Sequence, residues 1–316
     1  MLNNQHLWPL TRLAPLCGFF ILLAVLFTPQ TSHAKTNLVI YDIQKKYQSS
    51  FFKELQNQAN NTQTRLLSIP LAGLSKEKIE RYKPSLIISL DPLASKKLKN
   101  YKIKTPVIHG LLTSIQAKKI MPCLPHCSAV DGKHTFLVLD QPLARQLKLI
   151  KLIKPHTSRI GVLYAEHSLS QVEQLKKLAP SFSLKIEDYL VKPKTLKFQL
   201  NDVAQSSDII LAMADTAIYN AATLPQILLT SYRYHTPVIA FSKGFIKAGA
   251  VSGVVSNLEQ LAQQLIELIL FNPEHSIIYP KYFNVISNRS VAKSLSLYFP
   301  DDSNLTATLK THEAVQ

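Results

Sequence analysis

The sequence predicts an α/β protein of two lobes, each built on a parallel sheet, and three observations lead there. The chain has 316 residues. Removing a 34-residue leader leaves 282, too many for one ordinary core and about right for two. Short β-branched runs alternate with amphipathic runs, the pattern of βα units on a parallel sheet. A faint internal repeat then sets matching strand segments in the same order in each half.

The leader comes first. Leu13 to Phe27 form an uncharged apolar block of 15 residues, preceded by Arg12 and followed by a polar segment ending Ser32-His33-Ala34. A charged start, a short apolar region and a small-x-small exit describe a cleaved secretory signal peptide over residues 1–34. The block is shorter than the roughly 20 residues that span a bilayer. Cys17 sits inside it after Leu16, which does not suit a lipoprotein site. The expected compartment is therefore periplasmic or otherwise extracytoplasmic.

Strands are expected at Asn37–Tyr41, Arg65–Ile69, Ser85–Leu90, Val107–Leu111 and Phe136–Leu139. The second half should supply Arg159–Tyr164, Ser183–Tyr189, Asp208–Ala212 and Val238–Phe241. Of the helices between them, Gln141–Lys154 carries Leu143, Leu147, Ile150 and Ile153 on one face. Asn257–Phe271 starts at an Asn257 cap and turns Leu258, Leu261, Leu265 and Ile269 inward. The repeat pairs Leu38–Tyr41 with Gly161–Tyr164, Leu86–Asp91 with Ile209–Asp215, and Thr105–Ile108 with Thr236–Ile239. Each pair is short, but all three are offset by about 125 residues and keep one order.

Composition narrows the function. Apolar residues make up 46% and charged residues 18%, so the chain is globular. With 8 glycines and no G-x-G-x-x-G or G-x-x-x-x-G-K-[ST], Gly-rich phosphate loops are absent and nucleotide-driven chemistry is unexpected. No G-x-S-x-G or H-E-x-x-H occurs, so no cofactor, metal or catalytic group is expected. Beyond the leader only Cys123 and Cys127 remain, in the Pro-containing loop Met121–Cys127. In an oxidising compartment they should pair as a local disulfide; a metal site using His126 lacks a fourth ligand.

The run Arg159-Ile160-Gly161-Val162-Leu163-Tyr164, after the turn Lys154-Pro155-His156, resembles the opening of the second lobe in substrate-binding proteins of ABC transporters. The segment Gly244-Phe245-Ile246-Lys247-Ala248-Gly249-Ala250 resembles the same family, as does Pro280-Lys281-Tyr282-Phe283-Asn284-Val285 with Asn288-Arg289 beyond it. The likeness covers roughly Leu139 to Leu297 and is general over the first half; the insertion with Cys123 and Cys127 departs from it. It implies a type I periplasmic-binding-protein-like fold: two Rossmann-like lobes with parallel sheets joined by crossing strands. Carried over, lobe one is 35–137 plus 286–305, lobe two 138–285, and 306–316 a C-terminal tail. The implied function is capture of a small ligand, amino-acid-like for instance, between the lobes and delivery to an ABC permease in the inner membrane.

In open α/β sheets ligands sit beyond the carboxyl ends of the strands. That rule selects Tyr41, Asp42 and Asp91 in the first half. In the second it selects Glu166, Ser168, Asp215, Thr216, Tyr219 and Ser242. The hydroxyls suit a carboxylate and the acids an amine. Asp91 stands before Pro92 and Asp215 before a helical run, so both also fit helix N-caps.

The formal charge is +16, or +15 without Arg12 of the leader. Arg145, Lys148, Lys151 and Lys154, spaced three apart, should form a basic, solvated stripe on a helix. Nucleic acid is an unexpected partner, because export removes it and no aromatics interleave with the lysines. Two other classes compete: a ligand sensor serving a membrane kinase or envelope complex, and a two-lobed enzyme such as a glycosyl transferase.

Overall fold

Runs of fully buried aliphatic residues build two sheets of six strands each. The computed structural model describes residues 36–124, 127, 133–192, 195–271 and 276–313. These fall within one unit, Ala34–Gln316. The expected signal peptide and His126 lie outside the described residues.

The first half contributes β1 (Asn37–Tyr41), β2 (Leu66–Pro70), β3 (Leu86–Ser89), β4 (Val107–Leu112) and β5 (His134–Val138). The second contributes β6 (Arg159–Tyr164), β7 (Lys185–Leu190), β8 (Ile209–Leu211), β9 (Val238–Ile239) and β10 (Ser252–Val255). Two late strands, β11 (Ser276–Ile278) and β12 (Asn284–Ser287), complete the edges. The orders are β11-β5-β4-β3-β1-β2 and β12-β10-β9-β8-β6-β7. Every described pairing is parallel except β10 with β12. The three sequence matches thus fall on β1 and β6, β3 and β8, and β4 and β9, which hold equivalent places in the two sheets.

Helices α1 (Lys46–Asn61), α2 (Lys76–Tyr82), α3 (Pro92–Tyr101) and α4 (Ser114–Ile120) accompany the first sheet. Helices α5 (Leu143–Ile153), α6 (Leu169–Leu178), α7 (Leu196–Ser206), α8 (Leu224–Arg233) and α9 (Lys243–Ala248) follow in the second half. Beyond β10 come α10 (Leu258–Phe271), α11 (Arg289–Ser294) and α12 (Asp302–Glu313).

The return segments run opposite to the expectation. Helix α10 leaves the second sheet and packs on α1, where Leu261, Ala262, Leu265 and Ile266 join Phe51, Phe52 and Leu55 in one core. Then β11 adds to the first sheet beside β5. Residues 258–271 and 276–278 therefore pack with lobe one, and 284–313 with lobe two. The expected tail from 306 is helix instead, because Leu305 and Leu309, one turn apart, bury fully with Phe283 and Val285. The stripe on α5 is corrected too. Arg145 is buried, its guanidinium paired with Glu313 and stacked 3.9 Å from the Phe283 ring, and Lys151 and Lys154 cap backbone carbonyls. None of the four basic residues is fully exposed.

Three segments cross between lobes, at 139–142, 256–257 and 279–283. They are laced together. Gln141 Nε2 donates to Ser256 Oγ at 3.0 Å, Ser256 Oγ donates to the Tyr282 carbonyl at 2.6 Å, and Arg145 donates to the Pro280 carbonyl at 2.9 Å. The Asn257 cap forms as expected, accepting from Gln260 N at 2.8 Å. Cys123 and Cys127 are disulfide-bonded, beside the apolar cluster of Leu112, Ile120 and Leu124.

Candidate functional site

A small pocket lies where the crossings meet the carboxyl ends of both sheets. Asp140 and Gln141 follow β5, Leu211 to Ala214 close β8 and run beyond it, Phe241 follows β9, and Tyr279 follows β11. Helix α5 adds Leu143 and Gln146, and α6 adds Gln171 and Gln174. The cavity measures about 30 Å3 and is partly open to solvent at Gln174. That is room for one or two water-sized groups.

How the sequence places these side chains is readable locally. Strand β4 shifts register between His109 and Leu112, and Leu111 takes φ 58°. Such a bulge re-aims the chain that follows it. Next come Thr113, which caps α4 in a reciprocal box with Gln116, and Ser114, whose N–H donates to the Asp140 carboxylate. Burial pushes the Asp140 carboxyl up, and the Ser114 N–H opposes that shift. Burial, helped by the charge of Asp140, also pushes the Tyr279 phenol up.

Across the gap, Gln171 Nε2 of α6 donates to Ser114 Oγ of α4 at 2.6 Å, and Lys118 Nζ donates to Ser170 Oγ at 3.2 Å. These contacts hold the lobes together over the pocket. Two amide oxygens there have no partner: Gln146 Oε1 and Gln171 Oε1, on residues 5% and 9% exposed. A buried polar atom without a partner is costly and marks a place for a hydrogen-bonding guest. No lysine or arginine lines the pocket. Among the described residues, no group of three or more His, Cys, Asp and Glu is arranged to hold a metal.

None of the nine residues selected from sequence lines this pocket. Tyr41 stacks on Phe52 with ring centroids 4.6 Å apart. Asp42 accepts from Gln44 N, and its own N–H donates to Gln48. Asp91 is buried, capping α3 through Leu93 N at 2.8 Å and Ala94 N at 3.3 Å, and receiving Lys45 Nζ at 2.6 Å and Gln48 Nε2 at 2.9 Å. Burial raises its pKa, but the bonds from Lys45, Gln48 and Leu93 prevail and hold the carboxyl below its ordinary value.

Asp215, at the equivalent place after β8, is likewise enclosed. It accepts from Ala165 N at 3.1 Å, Ser168 Oγ at 2.5 Å, Ala217 N at 3.0 Å and pairs with His167 at 2.9 Å. Each acid thus organises its own lobe's strand-end loops. Glu166 and Thr216 are exposed. Tyr219 is buried against Phe241 and Phe245, and Ser242 caps α9 through Phe245 N. Sequence reasoning missed Asp140, Gln146, Gln171 and Tyr279. The strand-end rule reaches Asp140 once it is applied to the strand before it; the two glutamines face inward from helices and carry no local signal.

A sequence profile described as "ABC transporter substrate binding protein" matches residues 35–270. Comparison with curated protein sequences gives no match. Solved structures share the fold. A protein from Streptococcus pneumonia in complex with L-Trp is 18% identical, with a TM-score of 0.56 over 86% of this chain and 98% of that one. A conserved domain protein from Vibrio cholerae is 16% identical, with a TM-score of 0.57 over 87% and 99%. A ligand-free, open substrate-binding protein with adhesive properties from Clostridium difficile is 15% identical, with a TM-score of 0.65 over 85% and 97%.

Proposed function

We propose a function from one premise: the chain belongs to the family of ABC transporter substrate-binding proteins. It captures a small solute outside the cytoplasm, in the pocket between its lobes, and hands it to an ABC permease in the inner membrane. It performs no chemistry of its own. The leader over residues 1–34 directs export, and among the described residues no helix is long and apolar enough to cross a membrane.

The observation that carries this reading is the hinge pocket itself. Three laced crossings meet a cavity with two unpaired amide oxygens, and hydrogen bonds from α4 to α6 bridge its two sides. Hinge closure about a bound solute uses this arrangement: opening breaks the Ser114–Gln171 and Lys118–Ser170 contacts, and closing sequesters whatever has entered. An amino-acid-like solute heads the list to be screened, since a protein of this fold was solved with L-Trp.

The test is a thermal-shift screen of the chain without its leader against amino acids, peptides, sugars and amines. A variant carrying both Gln146→Leu and Gln171→Leu serves as the site control. The expected result is a rise in Tm with one class of solute, lost in the control. No shift with any solute, or an equal shift in the control, overturns the reading.

A further inference from the structure

We infer that the hinge pocket selects an organic cation, a small molecule presenting a protonated amine, and that Asp140 is the residue that reads it. The inference rests on the proposed solute site and names its ligand class. Charge is the first support. The chain carries 36 Lys and Arg against 20 Asp and Glu, yet the pocket wall holds one carboxylate and neither a lysine nor an arginine. A carboxylate-bearing guest would meet Asp140 without a counter-ion there, whereas an ammonium would meet its opposite charge.

Hydrogen-bonding capacity is the second support, and it is independent of charge. An ammonium has three donors and no acceptor. The pocket offers oxygens of that kind: the Asp140 carboxylate and the unpaired Oε1 atoms of Gln146 and Gln171, both on side chains more than nine-tenths buried. Size agrees as well. A cavity of about 30 Å3 takes an ammonium head, while Phe241 and Tyr279 provide aromatic walls that attract a cation and cover an apolar tail. An amine without a carboxylate therefore fits better than the zwitterion of the same carbon skeleton.

The experiment is calorimetric titration of the leaderless chain with a matched set: phenethylamine, phenylalanine and 3-phenylpropionate, extended to butylamine and putrescine. The expected result is that an amine binds at least tenfold more tightly than phenylalanine and that 3-phenylpropionate does not bind. Asp140→Asn, nearly isosteric and still able to accept from Ser114 N–H, should weaken the amine at least tenfold with its melting temperature little changed. Gln171→Leu is the second variant, expected to weaken the amine without altering the preference over 3-phenylpropionate. Tighter binding of phenylalanine or 3-phenylpropionate overturns the cation inference and leaves the solute-binding function standing. So does a solute from the wider screen that binds while every amine fails. Amine binding that Asp140→Asn leaves unchanged overturns the role of Asp140. If no solute of any class binds, both readings fall.

Discussion

Replacing Asp91 separates a structural carboxylate from a ligand contact. In Asp91→Ala the N–H groups of Leu93 and Ala94 at the start of α3 lose their cap, which costs about 1 kcal/mol. Gln48, fully buried, loses its 2.9 Å acceptor, at about 1 kcal/mol more. The ion pair adds little: the Lys45 side chain is 43% exposed and rehydrates when its partner goes, so about 0.5 kcal/mol is ascribed to it. The total is about 2 to 3 kcal/mol, or, for a chain of this length, a fall in Tm of roughly 3–6 °C. Asp91→Asn keeps an oxygen to cap the helix and should lose only about 1 kcal/mol. The pH dependence has a definite sign. The folded carboxyl titrates below its ordinary 3.8, so its contribution is complete above about pH 4 and is lost as pH falls through the folded value. Wild type and Asp91→Asn should then converge in acid. Urea melts of residues 35–316 followed by far-UV circular dichroism at pH 7 and pH 3 measure this, since the one tryptophan, Trp8, precedes that stretch. Asp91→Ala with unchanged stability and at least tenfold weaker ligand binding would refute the capping argument and restore Asp91 to the pocket.

Other perturbations test the scaffold that carries the pocket. Arg145→Met removes a buried guanidinium from Glu313, Gln141 and Pro280, and should cost about 3 kcal/mol while speeding hydrogen exchange in α12; unaltered exchange there would show that the pair does not hold that helix. Gly253→Ala drives a methyl group into the Ala240 carbonyl of the adjoining segment, so soluble folded protein should drop sharply. Its control is Gly244→Ala, where a Cβ meets nothing within 4 Å and the helix should gain about 0.5–1 kcal/mol. Reducing Cys123–Cys127 opens a loop with a sequence separation of only 4, so the loss should be near 2 kcal/mol, read as a small fall in Tm with reductant.

Much of this fold was legible because its strands are buried on both faces. Segments such as Leu38–Tyr41 and Arg159–Tyr164 read as continuous aliphatic runs, and their repeats land on equivalent strands of the two sheets. The strands that escaped have weaker signals. Strand β10 carries Gly253, which closely approaches Ala240, and β11 and β12 are three- and four-residue edges whose partners are distant in sequence. The return path of 258–313 was hidden for a related reason. Both α10 and α12 have apolar faces, and periodicity does not say which lobe each face meets. Arg145 shows the same limit in charge: regular spacing on α5 suggested a wet stripe, but Glu313, 168 residues away, draws its guanidinium inside.

At the site, the strand-end rule chose acidic and hydroxyl positions in the strand-end loops, none of which lines the pocket. Asp91 begins α3 and Asp215 caps a turn rather than the helix expected after it, and both carboxylates are already occupied by N–H, hydroxyl, amide and charged partners. The pocket wall is made instead by residues one or two positions earlier, such as Met213 and Phe241, and by glutamines on helices from both sides of the hinge. Long-range packing alone brings Gln146 and Gln171 together.

The central claim is that solute binds in the hinge pocket, and a local reporter addresses it directly. Gln174 is exposed and lines the pocket, so Gln174→Trp in the leaderless chain gives a single tryptophan at its edge. Titration with an amine that raises the melting temperature should change the emission of that tryptophan saturably, with the same affinity as calorimetry, and the change should vanish when Gln146→Leu and Gln171→Leu are added. Saturable binding by calorimetry with no change in emission would put the ligand elsewhere and contradict the account.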